Sequence, residues 1–525
     1  MDPNHVDRPH YTLPHGTPGW NKIETVLSAA TENIPTTVAQ LTSLMIDLAH
    51  ACSPPLQGGL TAFTPDDPPD LPSLRAAIDD GPAHDPNFDF WSSTLPTLIH
   101  DVLALPTLFP DPSLGVLEQN VSSTIAIERK GARAILSAAF FGICTPYQLQ
   151  HSEFMLRRSR IRQAFSPDTD DDADADEEAW AGGLFGDISF LRVLGQGTRG
   201  VGKERVLSLL LYFHATTGIE LEGEVCFHRA CLGEGPGLVS PPQWEEGEGE
   251  TQFGSVTVVH DIKIEDVDVA NLHIDFANKH LHIGSIIPSA TQEEVLFSVR
   301  PECFIGLLFS ETMLPHEAIL ISGAPKYITY AGYLYTFRVA GLTPSAFSPA
   351  PDPCTVVAID AMVAHSPSSQ FLAPALLRDL NKAYVGFSGL PPHPEDDGSN
   401  ALNLISTGMW GCGVFNGDPT LKFCQQIMAA AVLGADVHYS TFGKPDVAES
   451  HTELYQALLE HEVSVSTLFS FLAQWDGART DPFHDYLLRR IRSQDDSGFA
   501  QYRSSRGFSG GSGGLLRTIL GPLGV

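Results

Sequence analysis

From about residue 187 onward, short apolar runs with strand character alternate with longer segments of helical periodicity. This alternation predicts a central sheet covered by helices, because the apolar face of each element must be buried against another layer. The predicted strands are 255–260, 272–276, 318–322, 355–361 and 437–442, and the predicted helices are 420–433 and 449–460. The sequence therefore predicts an α/β domain over residues 186–475. The remaining residues, 476–525, are predicted to contain a helix at 486–492 and a flexible Gly/Ser-rich tail at 504–514.

The segment in front of this α/β domain has a different pattern. From about residue 21 to residue 147, helix-like apolar periodicity is interrupted by proline-rich stretches, which predicts a helical accessory region over residues 1–185. Within it, residues 134–141 are apolar on every side and are expected to be buried. Residues 168–178 are mostly acidic and contain no basic residue, a composition typical of a disordered insertion.

The net charge limits the class of ligand. A formal charge of -32 argues against a general nucleic-acid surface, because phosphate binding of that kind needs clustered Lys and Arg. An anionic ligand would have to be held locally, by backbone N–H groups or a few side chains. No apolar run has the length of about 20 residues that a membrane helix needs, and the first residues lack a secretion signal. We expect an intracellular protein without membrane contact.

The eight cysteines are dispersed along the chain and are expected to be reduced. Cys226, His228 and Cys231 are close together in the sequence, but no fourth ligand follows at zinc spacing. The run from Glu222 to His228 alternates like a strand instead. We therefore predict neither a metal site nor a cofactor.

The segment with the most chemical content is DFANKHLHIGSIIPSATQEE, which begins at Asp275 and ends at Glu294. Its start belongs to a predicted strand, and its end, Gln292-Glu293-Glu294, begins a predicted helix, so the acids lie where a loop becomes a helix. A structural interpretation is available, because Ser289 with Gln292, or Thr291 with Glu294, forms a capping box, and acids in a first helical turn complement the helix dipole. The functional interpretation is that these acids handle a sugar.

Several blocks in a fixed order favour the functional interpretation. The segment from Asp275 to Glu294, the tyrosine cluster from Tyr327 to Tyr333, and residues 378–387, 410–417 and 441–443 resemble the poly(ADP-ribose) glycohydrolase family. Together they span roughly residues 203–475. The resemblance implies a macrodomain-like, three-layer α/β/α sandwich with a mixed central sheet, preceded by a helical accessory region. It also implies hydrolysis of the ribose–ribose O-glycosidic bonds of poly(ADP-ribose), mainly from the chain ends.

The resemblance assigns roles at the reacting bond. Glu294 matches the catalytic acid/base, which protonates the leaving oxygen and then activates water. Glu293 matches the residue that holds ribose hydroxyls. Two adjacent acids can raise the pKa of one of them by repulsion, as a general acid requires. The matching positions that line the substrate pocket here are Asp275, Asn278, Gln292 and Gly284.

The resemblance also assigns residues to the rest of ADP-ribose. Residues 411–417 precede Asp418 and Pro419, which resemble a helix cap and first turn, so the loop exposes N–H groups beside a helix N-terminus. Gly413, Val414 and Phe415 match the diphosphate cradle. The residues that match the adenine and distal ribose contacts are Ile264, Glu265, Tyr330, Tyr333 and Phe442.

Two departures from the family pattern leave a second hypothesis open. Two of three expected glycines are His282 and Ile283, and only Gly284 is kept. An expected asparagine is Met409. Either change could mark a non-catalytic protein that only binds ADP-ribose, and a structural partner protein is a third, more distant hypothesis. For the enzyme we expect poly(ADP-ribose) and ADP-ribosylated proteins as partners, no direct nucleic-acid contact, a monomer, and a nuclear or cytoplasmic role in the DNA damage response.

Overall fold

The computed structural model describes residues 10–52, 66, 69–144, 149–150, 188, 190–195, 200–245, 251–281, 290–389, 403–475 and 482–493. The predicted acidic insertion at 168–178 and the predicted tail at 504–514 lie outside the described residues. Gly284, with His282 and Ile283, lies outside them as well.

An eight-stranded mixed sheet is at the centre of the described chain. Its strands, in chain order, are β3 (Ser123–Glu128), β5 (Glu224–Cys231), β6 (Val256–Val259), β7 (Leu272–Ala277), β8 (Glu317–Ser322), β11 (Thr355–Asp360), β12 (Leu404–Gly408) and β13 (Asp436–Ser440). Their spatial order is β3-β5-β8-β11-β7-β12-β13-β6. The strands from β11 to β6 in this order are parallel, whereas β3, β5, β8 and β11 pair antiparallel. The α/β prediction is confirmed.

The other described strands form two small sheets. β9 (Ile328–Ala331) and β10 (Arg338–Leu342) form an antiparallel hairpin, and its connection carries Tyr333. β1 (His10–Thr12), β2 (Ser113–Gly115) and β4 (Leu149–Gln150) form the other sheet.

Each face of the central sheet is covered by its own layer of helices. Alternate residues of β11 show the division, since Val356 and Ala358 pack into one hydrophobic core and Val357 and Ile359 into the other. The helices of the first core are Trp20–Glu32, Val38–Ala51, Pro72–His84, Leu95–Leu103, Leu105–Leu108, Arg129–Phe140, Leu191–Leu194, Val201–Thr216 and Gln292–Val299. The helices of the second core are Ala373–Phe387, Pro419–Val432, Pro445–Glu460, Val465–Ala473 and Phe483–Ser493. None of the described helices is long and apolar enough to cross a membrane.

The helical accessory region is continuous with the sheet rather than separate from it. Its helices share the first core with β5, β8 and β11, and its strand β3 forms an edge of the sheet beside β5. A buried ion pair joins them, with Arg129 Nε 3.0 Å from Glu302 Oε2 and the Tyr327 hydroxyl donating to Glu302 Oε1 at 2.8 Å. Strand β3 was not predicted, because a half-exposed edge strand of six residues shows little apolar signal.

Candidate active site

Five parallel strands end at one edge of the sheet, and several of the predicted site residues lie just beyond these ends. Asn278 follows β7, the glycine loop (residues 411–417) follows β12, and Phe442 follows β13. In α/β folds the crevice outside the carboxyl ends of parallel strands is the usual ligand position. The sheet therefore brings together residues that are more than 160 positions apart in the chain.

Three acidic side chains meet where β7 contacts the helix Gln292–Val299. Asp275 lies in β7 and is fully buried, and Glu293 and Glu294 begin the helix with 4% and 5% of their surface exposed. Glu293 Oε2 accepts a hydrogen bond from the N–H of Asn278 at 3.3 Å. The acids of the predicted motif are thus neighbours in space.

A capping box holds the carboxylate of Glu294. Oε2 accepts hydrogen bonds from the N–H of Thr291 at 2.5 Å and from the Thr291 hydroxyl. The structural interpretation of this motif is therefore correct. It does not exclude the functional one, because no hydrogen bond from the described residues reaches Oε1. The cap orients the carboxylate and leaves Oε1 for a ligand.

Gln292 attaches the start of this helix to β7. Its side-chain oxygen accepts from the N–H of Phe276 at 2.7 Å, and its nitrogen donates to the carbonyl of Ile274 at 3.0 Å. Both ends of the amide are engaged within the protein, so Gln292 positions the two glutamates. Asn278 accepts from the N–H of His280 through Oδ1 at 3.0 Å, and its Nδ2 has no hydrogen-bond partner in the described part of the chain.

Asp275 is the acid with the clearest electrostatic perturbation. Burial raises the pKa of its carboxyl well above the ordinary value, and the charge of Glu294 raises this pKa further. Neither carboxyl oxygen of Asp275 has a hydrogen-bond partner among the described residues. A buried carboxyl without a partner is favoured in its neutral form. The predicted repulsion between the carboxyl groups of Glu293 and Glu294 stays a prediction. Repulsion between Asp275 of β7 and Glu294 of the helix is present, since the charge of Glu294 raises the pKa of Asp275.

Arg205, which the sequence did not indicate, lies behind the acids. It comes from the helix Val201–Thr216 and is buried, and its Nε donates to Ser298 Oγ at 3.2 Å. Ser298 Oγ in turn donates to the carbonyl of Glu294 at 2.7 Å. Burial lowers the pKa of Arg205 to about 10, and the charges of Glu294 and Glu293 partly offset this effect. The helix Val201–Thr216 thus supplies a cation to the acid cluster.

Ile264, Glu265 and Tyr330 form a second group beside the acids. Ile264 and Glu265 lie in a buried 3-10 turn, and the Tyr330 hydroxyl donates to Glu265 Oε1. Lys263 Nζ lies 3.8 Å from the centre of the Tyr330 ring and donates to the Tyr330 carbonyl at 2.7 Å. Burial and the neighbouring Glu265 raise the pKa of Tyr330. The Tyr330 side chain is therefore held in place by Glu265.

Tyr333 and Phe442 lie opposite each other at the mouth of the site. Their ring centres are 5.1 Å apart at an angle of 68°. Burial and then the charge of Glu294 raise the pKa of the Tyr333 hydroxyl, which also receives a backbone hydrogen bond from Gln292. Phe442 is 45% exposed, and its φ of +46° lies in the left-handed region. Strained backbone that holds an exposed aromatic ring is typical of a ligand contact.

The glycine loop exposes backbone N–H groups beside a helix N-terminus. In the described part of the chain, the N–H groups of Gly413, Val414 and Phe415 donate no hydrogen bond. The predicted helix start is confirmed, because the Asp418 carboxylate accepts from the N–H of Leu421 at 2.9 Å and Pro419 begins the helix. Free N–H groups beside the positive end of a helix dipole form a binding site for an anion.

Met409 stands where the family has asparagine, and its side chain packs against the second core. It therefore stabilises the loop base and contributes no polar group to the site. Among the described residues, no group of three or more His, Cys, Asp or Glu side chains is placed to hold a metal ion.

Fold and site together define a macrodomain-type α/β protein with an acid cluster and an anion-binding loop at one sheet edge. Two family models match the chain. Residues 84–229 match "Poly (ADP-ribose) glycohydrolase (PARG), helical domain", and residues 241–449 match "Poly (ADP-ribose) glycohydrolase (PARG), Macro domain fold". Together they cover about two thirds of the chain. The chain therefore belongs to the poly(ADP-ribose) glycohydrolase family. The helical match includes β3 and most of β5. The boundary after residue 185 stays a prediction.

Individual relatives agree with this assignment. The chain is 28% identical over 319 residues to poly(ADP-ribose) glycohydrolase 1 of Caenorhabditis elegans, which covers 58% of this chain and 39% of that protein. It is 29% identical over 324 residues to poly(ADP-ribose) glycohydrolase 2 of the same organism, at 59% and 64% coverage. It is 29% identical over 280 residues to poly(ADP-ribose) glycohydrolase 1 of Arabidopsis thaliana, at 41% and 51% coverage. The matches thus span between 39% and 64% of the relatives' lengths.

Proposed function

We propose that this protein hydrolyses the ribose–ribose O-glycosidic bonds of poly(ADP-ribose), mainly from the chain ends, and releases ADP-ribose. The observation that carries the proposal is the pairing of an oriented glutamate with an anion-binding loop at the same sheet edge. Glu294 has one carboxyl oxygen fixed by its cap and the other available, and three free N–H groups lie on the glycine loop. Family membership supports the choice of substrate.

In this mechanism Glu294 is the acid and then the base. Its protonated carboxyl donates a proton to the leaving ribose oxygen while the glycosidic bond breaks and positive charge develops on the other ribose. The resulting Glu294 carboxylate then takes a proton from the water that attacks the anomeric carbon. Glu293, fixed by the Asn278 N–H, accepts hydrogen bonds from ribose hydroxyls and stabilises the developing charge. The neutral carboxyl of Asp275 lines the pocket from β7.

The diphosphate, the adenine and the distal ribose of ADP-ribose bind along the same edge of the sheet. The N–H groups of Gly413, Val414 and Phe415 bind the diphosphate through the backbone, which suits a chain of charge -32. Tyr333 stacks on adenine, Glu265 and Ile264 contact its edge, and Phe442 covers the distal ribose. The assignments of Gly284, Asn278 and Gln292 to substrate binding also belong to this proposal, with Gln292 acting through its hold on β7. We further propose ADP-ribosylated proteins of the nucleus or cytoplasm as the carriers of the polymer.

The test is incubation of the purified protein with poly(ADP-ribose), with a Glu294→Gln variant as the matched control. Release of free ADP-ribose by the wild type and not by the variant supports the proposal. Release of oligomers without monomer would contradict the preference for chain ends. If the wild type binds ADP-ribose tightly but releases none from the polymer, the protein is a non-catalytic ADP-ribose binder. The observation that favours this alternative is the apolar Met409 in place of an asparagine.

A further inference from the structure

A lysine side chain is buried directly behind the glycine loop. Lys422 lies in the first turns of the helix Pro419–Val432, and 1% of its side chain is exposed. Its Cε is 3.4 Å from the position of a Cβ atom at Gly411 and 3.0 Å from that at Gly417. Its Nζ lies 4.8 Å from the centre of the Trp410 ring. The stem of Lys422 therefore fills the space beneath both ends of the loop.

Those two ends close the loop. The N–H of Gly417 donates to the carbonyl of Gly411 at 2.8 Å, and Gly411 has a φ of +71°. A side chain at either glycine would displace the Lys422 stem or the loop closure. The loop conformation that leaves the N–H groups of residues 413–415 free is thus packed on one lysine.

The charge of Lys422 belongs to a buried network. Lys422 pairs with Asp379, which also pairs with Arg378 at 2.6 Å. Arg378 pairs with Asp360, which pairs with Lys382 at 2.7 Å. The five side chains contain two carboxylates and three cations. The carboxyl group of Asp418, at the end of the loop, also lies within electrostatic reach of Lys422. Lys422 joins this network to the loop, through the contacts of its stem with Gly411 and Gly417.

We propose that Lys422 is a positioning residue for the diphosphate, and this inference rests on the proposed function. Its stem supports the loop, and its buried charge favours an anion on the free N–H groups above it. Loss of solvent around a charge makes its field stronger than at the surface. This places a buried cation behind the binding site of a dianionic group, in a chain that is strongly acidic. The exposed Lys444 also acts on the loop, through its charge near Cys412. Lys422 does not itself have to touch the ligand.

The test compares two ligands and two buried lysines. ADP-ribose contains the diphosphate and adenosine lacks it, so the ratio of the two affinities isolates the diphosphate contact. Lys422→Met keeps the stem and removes the charge. Lys382→Met is the matched control, because Lys382 is equally buried in the same network but donates to the carbonyls of Leu314 and Glu317, away from the loop. Affinities are measured by calorimetry for ADP-ribose and by NMR titration for adenosine, with melting temperature alongside.

We expect Lys422→Met to weaken ADP-ribose binding by about tenfold or more and adenosine binding by less than about threefold. Lys382→Met should lower stability without changing the affinity ratio, and Lys422→Arg should restore most of the ratio. Equal weakening of both ligands by Lys422→Met would overturn the inference and leave the proposed function intact. The inference would also be overturned if no variant at position 422 folds, including the double variant Asp379→Asn/Lys422→Met. Lys422 would then have a purely structural role. No ADP-ribose binding by the wild type would refute the proposed function itself.

Discussion

The two ends of the candidate site are built from different parts of the polypeptide. At the acid end, three buried carboxyl groups come from β7 and the helix Gln292–Val299. At the loop end, the proposed ligand contacts are backbone N–H groups of residues 413–415, which donate no backbone hydrogen bond in the described part of the chain. Each end has one buried cation behind it, Arg205 at the acids and Lys422 at the loop. Chemistry depends on side-chain identity, whereas anion binding depends on backbone conformation.

This difference determines how substitutions at each end affect catalysis, binding and stability. A substitution at the acid end can remove a proton donor while the fold persists, because the capping box accepts Gln in place of Glu. A substitution at the loop end acts through conformation, so it changes stability and binding together. The following changes test that contrast, from the largest expected effect to the smallest.

Replacement of Glu294 by Gln should lower polymer hydrolysis by roughly 10²- to 10⁴-fold, since an amide cannot serve as general acid or base. The helix start should persist, because the Gln oxygen can still accept from Thr291 N–H. Single-turnover hydrolysis and ADP-ribose affinity are measured on the same preparation. Turnover close to wild type would remove Glu294 from the catalytic role.

Tyr333→Ala should weaken ADP-ribose binding by about 1 to 3 kcal/mol, the usual range for aromatic stacking on a base. Tyr333→Phe is the matched control, because it keeps the ring and removes only the hydroxyl near Gln292. Calorimetry should place the Phe variant close to wild type. If Phe and Ala are equally weak, the hydroxyl and not the ring binds the ligand.

At the loop end, Gly411→Ala should destabilise the protein by roughly 1 to 3 kcal/mol, because its φ is +71° and a Cβ would lie 2.6 Å from that of Ala361. Gly413→Ala is the comparison, since a Cβ there meets no atom within 4 Å. Denaturant unfolding should show the loss for Gly411→Ala alone. Equal stability of the two variants would mean that the loop is not held in this conformation.

Removal of the cation behind the acids should change the pH dependence of hydrolysis. A positive charge lowers the pKa of nearby carboxyl groups, so Arg205→Gln should displace the pH–rate profile toward higher pH. Arg205→Lys keeps the charge and should keep the profile. Displacement by both variants alike would assign the effect to packing against Ser298 rather than to charge.

The smallest effect concerns Asp275. Because its pKa is raised in the folded protein, its contribution to stability is fully present below the unfolded pKa of about 3.9 and is lost as pH rises toward the folded pKa. Asp275→Asn removes this loss, so its melting temperature relative to wild type should increase from pH 5 to pH 8 by a few degrees. A difference that is constant with pH would show that Asp275 titrates normally.

The elements that could be predicted were those with strong local signals. Strands such as β8 and β11 are continuous apolar runs, and the helix Pro419–Val432 begins with Asp418 and Pro419, so both were recognisable. Strand β12 was missed because Leu404-Ile-Ser-Thr-Gly408 has only two apolar residues. The helix Phe483–Ser493 was predicted as a C-terminal element, and its buried face belongs to the second core.

By itself, the sequence determined the α/β fold class and, through a resemblance in five ordered blocks, which acids, tyrosines and glycines to examine. These properties reside in local patterns: apolar periodicity, capping residues and the Gln-Glu-Glu motif. Tertiary structure alone placed Arg205 behind Glu293 and Glu294, and Lys422 beneath the glycine loop. Neither residue has a motif around it, because each acts through neighbours that are distant in sequence, and only packing of the sheet and its helices brings them together.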